Sequence, residues 1–416
     1  MKKGIIVIVH LFMVGNFAWP QAVEGLSLKN AIAMALSNNP QLRSSLSQID
    51  VERGRFWRGI SPPLPTVAVS YDYIPKGSSV QQFGERTIGI SQSFEFPATT
   101  LVRGLHLSSK VAIAEAEHSS TSIAIISRVK IAYYDVLAKQ KKIELAGEYL
   151  AIAEDFARTA EIRYNVGEAT NLERLTAAVQ RTQAQNALAV AQNDLHVALG
   201  ELYYTLGRTM EEQQNKFILT DSLVFQPTSE TLEHLTERAC AVNPQLKAAS
   251  GRVSAAFLDR TLAWSSFLPV LNASYYRQTV GSNPDFYGVS FGISLPLWFL
   301  FDQRGQIQEA SANVGIAEYD LQSRQNLIRV NVKNAFLDMK INERQLILHQ
   351  TDILPQAEEV YRSALTSYTA GEITYIEFLQ ARQLLISSRN EYVEELARYC
   401  TSLAKLEYAV GSSIIQ

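Results

Sequence analysis

The sequence predicts a mixed α and β fold written twice along one chain. Three observations predict it. Matched residues recur at one offset, four stretches alternate with period two, and two long stretches are almost free of proline and glycine.

Composition narrows the function before any motif is considered. The 416 residues are 47% hydrophobic and 19% charged, near the globular average, which argues against disorder. With 38 Lys and Arg against 41 Asp and Glu the net charge is −3, which excludes a nucleic-acid binder relying on a strongly basic surface. Two cysteines exclude a disulfide scaffold and a Cys-rich zinc module. Spacing leaves open whether Cys240 and Cys400 pair in an oxidising compartment or stay as buried thiols.

The N-terminus, residues 1–22, reads as a secretory signal peptide. Lys2 and Lys3 precede an apolar run over 4–17 broken only by His10 and Asn16, with the small residues Ala18 and Ala22 beyond it. The run is too short for a membrane span, and no later stretch is apolar enough for a membrane helix. Whatever holds the exported protein at a membrane must therefore come from its own fold.

The duplication is read from residues in one register. Asn39-Pro40-Gln41-Leu42 recurs as Asn243-Pro244-Gln245-Leu246, an offset of 204. Leu64-Pro65 matches Leu268-Pro269, Tyr164 and Gly167 match Tyr368 and Gly371, and Gly207 matches Gly411. The repeats run over about 26–207 and 230–411, joined by a connector at 208–229.

Each repeat opens with helices. Residues 28–58 hold few helix breakers besides Pro40, and 233–264 mirror them, so each reads as a helix interrupted at Asn-Pro. Two strands follow, at about 65–75 and 84–96, then again at 269–280 and 286–297, with tips near 76–82 and 281–285. Val67, Val69 and Tyr71 alternate with Ala68, Ser70 and Asp72; Tyr287, Val289, Phe291 and Ile293 alternate with Gly288, Ser290 and Gly292.

A soluble sandwich strand alternates too. Four strands with one apolar, aromatic face and one small, polar face equally fit a transmembrane barrel wall, and roughly 9–11 residues is the length a tilted membrane strand needs. On that reading Val69, Tyr71, Val289 and Phe291 face lipid, while Ser70, Gly89 and Ser290 face the lumen. Four strands close no barrel of useful bore, and lipid does not tolerate an open edge. Three chains sharing one barrel would supply twelve strands.

Helical hairpins complete each repeat, at about 100–206 and 304–409. Residues 100–164 contain no proline and would form a rod on the order of 95 Å long. Ile125, Val129, Ala132, Val136, Lys139, Ile143, Ala146, Leu150 and Ala153 step by four and three, a heptad seam that continues to Tyr164. Ile328, Val332, Ala335, Met339, Asn342, Leu346, His349 and Ile353 repeat it, and Pro355 is expected to kink the second rod. Such rods cannot bury themselves within one compact domain and need lateral partners.

Catalytic constellations are missing. The six histidines show no ligand spacing, and there is no nucleophile elbow, P-loop or dinucleotide fingerprint. His349 on the seam reads as a packed or lumen-facing residue. The chain is expected to be no enzyme and to use no cofactor and no metal.

Signal peptide, duplication, strand pair and long hairpin together resemble the outer membrane efflux protein (TolC-like) family over essentially the whole exported chain. The most specific segments are the opening helix through Asn39-Pro40-Gln41-Leu42 and the hairpin-tip motifs Tyr164-Asn165-Val166-Gly167 and Tyr368-Thr369-Ala370-Gly371. Ser91-Gln92-Ser93-Phe94-Glu95-Phe96-Pro97 is similar to a segment of the heavy-metal efflux branch, although Ala98-Thr99-Thr100 stands where that branch carries Gly-Lys-Arg.

The resemblance implies a homotrimer with a twelve-stranded outer-membrane β-barrel, four strands per chain, continued by a long periplasmic α-helical barrel. It implies a passive exit duct of a tripartite efflux or secretion system, set in outer-membrane lipid. The partners it implies are a periplasmic adaptor (membrane fusion) protein and an inner-membrane pump of the RND or ABC type. The tips Val166, Gly167, Ala370 and Gly371 are the expected adaptor-docking residues. Glu173 and Glu377 match the family's constricting acids at the periplasmic gate, and Gln380 stands where a further acid is common, which weakens the expected ring of charge. The rival reading is a trimeric coiled-coil adhesin or stalk of the cell surface; the duplicated strand pairs count against it.

Overall fold

The computed structural model describes residues 25–208, 218–297 and 301–414. The expected signal peptide lies outside the described residues, as does part of the expected connector.

The chain opens with β1 (Gly25–Leu26), α1 (Leu28–Asn38), α2 (Pro40–Ile60), β2 (Thr66–Asp72), β3 (Glu85–Phe94), α3 (Pro97–Asn165) and α4 (Asn171–Thr205). After β4 (Ile218–Leu219) the same order returns as α5 (Leu232–Val242), α6 (Pro244–Ser265), β5 (Val270–Val280), β6 (Asn283–Ser294), α7 (Asp302–Leu348), α8 (Leu354–Thr369) and α9 (Tyr375–Val410). A π-helical turn over His349–Ile353 separates α7 from α8. It sits just before Pro355, whose ring and missing N–H cannot continue a regular α-helical ladder.

The Asn-Pro motif ends one helix and starts the next. Asn39 Oδ1 accepts from Gln41 N at 2.9 Å, capping α2, while Pro40 fills a first-turn position that needs no N–H. Asn243 does the same for α6 with Gln245 N, also at 2.9 Å.

The four long strands form one antiparallel sheet in the order β2-β3-β5-β6. Its register sorts the side chains. Val67, Val69, Ile88, Ile90, Tyr275, Val289, Phe291 and Ile293 share one face. Ala68, Ser70, Thr87, Gly89, Ser274, Gly288 and Ser290 share the other. Tyr276 is a large aromatic on the polar face; a Cβ at Gly288 would collide with its Cζ, so glycine there gives the ring room to lie across β6.

The strands differ from the expected ranges for local reasons. β2 stops at Asp72 because Tyr73 takes a left-handed φ of 55°. β6 starts at Asn283 because Gly281, at φ 58°, turns the chain back within two residues, and it stops at Ser294, short of Pro296.

The helices pack side by side. α3 has 69 residues, about 100 Å at the usual helical rise. Near the sheet it packs between α2 and α6, and α6 packs on α7. Further away α3 packs between α4 and α9, and α9 packs on α7 and α8. The seam residues Ile125, Val129, Ala132 and Val136 are buried with Leu202 and Leu206, and Ile328, Val332, Met339 and Leu346 with Leu396 and Leu406. Lys139, the polar break in the first seam, reaches Asp194 on α4 at 3.3 Å. Cys240 is exposed and Cys400 buried, and both are free thiols.

Both layers have open sides. β2 and β6 are unpaired on their outer edges. α4 exposes Val190, Val197 and Tyr204 at heptad spacing, and α7 exposes Leu327, Val330, Leu337 and Ile341. Among the described residues no helix is long and apolar enough to cross a membrane.

Candidate functional site at the hairpin tips

The two helical hairpins reverse through the same local device. α3 ends with Glu168 N donating to Arg163 O at 2.8 Å and Gly167 N to Tyr164 O at 3.0 Å. α8 ends with Glu372 N donating to Ser367 O at 2.8 Å and Gly371 N to Tyr368 O at 3.1 Å. This pairing requires a left-handed residue after the helix, and Gly167 (φ 83°) and Gly371 (φ 78°) supply it. Val166 and Ala370 are exposed beside them.

The return helices start with capping boxes. Thr170 Oγ1 accepts from Glu173 N at 3.2 Å while the Glu173 carboxylate accepts from Thr170 N at 3.3 Å. Thr374 Oγ1 accepts from Glu377 N at 3.3 Å, and Glu377 Oε2 accepts from Thr374 N at 2.7 Å and Thr374 Oγ1 at 2.9 Å. These bonds hold the Glu377 carboxyl below its usual range, because they favour the charged form. Both candidate gate acids thus have a structural task at a helix N-terminus, where negative charge is favoured. Glu377 and Gln380 are exposed and one turn apart on α9; Glu173 is half-buried.

The tips lie side by side, joined by aromatic packing that sequence reasoning did not single out. Phe156 of α3 stacks on Phe378 of α9 at 5.0 Å between ring centroids, and Tyr368 of α8 stacks on Phe378 at 5.1 Å. Tyr375 lies 6.0 Å from Phe156, and Arg163 Nη1 donates to the Tyr368 hydroxyl at 3.3 Å. Burial raises the Tyr368 phenol, and the Arg163 charge works against that shift. A signal was present in the sequence: at the repeat offset Tyr375 and Phe378 stand opposite Asn171 and Arg174. The second repeat therefore departs from the first at the positions that tie α8 and α9 to α3. Among the described residues no group of three His, Cys, Asp or Glu could hold a metal ion.

Comparison with known proteins agrees with this architecture. The family model for the outer membrane efflux protein matches twice, over residues 31–208 and 235–412. The cobalt-zinc-cadmium resistance protein CzcC of Cupriavidus metallidurans is 20% identical over 94% of this chain and 91% of its own length. The toluene efflux pump outer membrane protein TtgF of Pseudomonas putida is 24% identical over 92% of this chain and 83% of its own. The solved structure of the Campylobacter jejuni CmeC outer membrane channel superposes with a TM-score of 0.78 at 16% identity, covering 94% of this chain and 86% of that one. Two matches of one family model, laid over the two repeats that share this sheet and these hairpins, show that the chain belongs to the outer membrane efflux protein family.

Proposed function

We propose that this outer-membrane efflux channel works as a homotrimer. Three four-stranded sheets close one twelve-stranded barrel in outer-membrane lipid, and three helical layers close one periplasmic tunnel. Cargo passes passively from an inner-membrane pump of the RND or ABC type, through a periplasmic adaptor, into the duct, with no cofactor and no turnover by the duct itself. The observation that carries the reading is the matched pair of open sides: β2 and β6 in the sheet, α4 and α7 in the helices. Each unpaired backbone group at a sheet edge costs several kcal/mol in lipid, so the edges must be closed by like edges.

The tips Val166, Gly167, Ala370 and Gly371 dock the adaptor; their exposure and shared geometry support this role. Glu173, Glu377 and Gln380 line the periplasmic gate, where three-fold symmetry turns each into a ring. The relatives are named for resistance to metals and for efflux of toluene, so what they share is the duct and not the cargo. Purified protein, sized in detergent and then reconstituted in planar bilayers, tests the proposal. A trimer with discrete conductance supports it; a monomer without conductance overturns it.

A further inference from the structure

We propose that the cavity between α3, α8 and α9, a few turns above the tips, binds a small amphipathic carboxylate whose headgroup pairs with Arg382. This goes beyond the duct reading and does not depend on it. The cavity has a volume of about 310 Å³. Its walls are largely apolar: Leu145 and Ile152 from α3, Leu365 from α8, Leu385 and Ile386 from α9.

Arg382 is the feature without an internal explanation. It is 3% exposed, and neither Nη1 nor Nη2 has a hydrogen-bond partner among the described residues. Its guanidinium lies over the Tyr149 ring at 4.9 Å and the Phe156 ring at 5.6 Å. Ring faces attract a cation but accept none of its in-plane N–H bonds, so they offset only part of the cost of burying it. The hydroxyl of Tyr375 is also buried without a partner. Tyr375 is close enough for the Arg382 charge to oppose the upward push that burial gives its phenol. A buried guanidinium with two unpartnered donors that lines a cavity points to a missing acceptor.

The neighbouring arginines already hold carboxylates. Arg389 pairs with Glu148 at 3.5 Å and Glu358 at 3.3 Å, and Arg362 pairs with Glu359 at 3.3 Å. Three arginines and three glutamates balance in number, yet Arg382 alone has no carboxylate within ion-pair distance among the described residues. A bound water could accept from it but would not neutralise it. A doubly charged anion would bring a second charge against apolar walls, with the Glu148 and Glu358 carboxylates nearby. A single carboxylate on an apolar body fits both the unpaired guanidinium and the lining.

The test uses the purified full-length protein in a neutral detergent, with naphthoate as the probe and its neutral isostere naphthamide as control. Probe fluorescence anisotropy should show saturable naphthoate binding, at least tenfold weaker for naphthamide and at least tenfold weaker in Arg382→Gln. Leu385→Trp, which fills the cavity and leaves Arg382 in place, should lose binding as well; it decides the matter if Arg382→Gln fails to fold. No saturable binding, equal affinity for acid and amide, or full binding in folded Arg382→Gln or Leu385→Trp would overturn the proposal.

Discussion

Asn39 Nδ2 donates to the carbonyl oxygen of Thr205 at 3.0 Å, fastening the start of α2 to the end of α4 across 166 residues of chain. Asn243 and Ala409 repeat the bond at 3.0 Å and the same separation. Each repeat is therefore closed on itself by one amide side chain that caps a helix with its oxygen and ties off another with its nitrogen. Gly207 belongs to the same junction, because a Cβ there would lie 2.8 Å from Asn38 O.

Asn39→Asp separates the two tasks. The carboxylate still caps α2, but an oxygen now faces the Thr205 carbonyl. Loss of a buried bond with one partner left unsatisfied costs about 1–3 kcal/mol. Guanidinium unfolding of the detergent-solubilised protein should show a loss of that size, and Asn243→Asp a similar one. Unchanged stability in both would remove the junction from the account of the fold.

The faces of the sheet make a second prediction. Phe291→Arg, on the apolar face, should cost ~2–4 kcal/mol if the site lies near the bilayer midplane and lower the yield of inserted protein. Ser290→Arg, one residue along on the polar face, should insert normally and alter single-channel conductance. The opposite pair of results would exchange lipid and lumen.

Glu377→Gln should reduce cation selectivity in planar bilayers and weaken block by multivalent cations, and Glu173→Gln should do so less. The pH dependence has a definite sign. The folded pKa of Glu377 is depressed, so its charge and its cap are complete above the ordinary carboxylate pKa, about 4.3. Both are lost as pH falls through the lowered folded value. Wild-type selectivity should therefore persist into moderate acid. Glu377→Gln channels with unchanged selectivity and block would place the gate elsewhere.

The two thiols should react differently. Burial pushes the Cys400 thiol up to about 11, so it carries no thiolate at neutral pH, while Cys240 is exposed. A thiol reagent at neutral pH should modify one group per folded chain and both in denaturant. Two fast-reacting groups in the folded protein would contradict the packing of α9.

The duplicated order of elements was legible because each signal is local and one-dimensional. Period two reports a strand whose faces meet different surroundings, and the seam from Ile125 to Val136 reports a helix with one buried stripe. The left-handed ends at Gly167 and Gly371 were legible for the same reason. Pro355 announced a break in the second rod; that the break takes the form of a π turn at His349–Ile353 depends on how the rest of the ladder adjusts. At Glu173 and Glu377 the sequence allows both a helix cap and a constriction, and the geometry displays the cap. Arg382, Phe156 and Phe378 meet only because α3 and α9 are adjacent, a relation between distant segments that no local pattern encodes.

The open sides of the sheet and of the helical layer have a genetic consequence. In a closed ring every copy supplies two contacts, so one copy with a spoiled edge also disables the two sound copies it joins. A proline placed in β6 and expressed beside the intact gene should act as a dominant poison, with working ducts falling as the cube of the intact fraction. Deleting the gene outright from one of two loci would be the milder lesion.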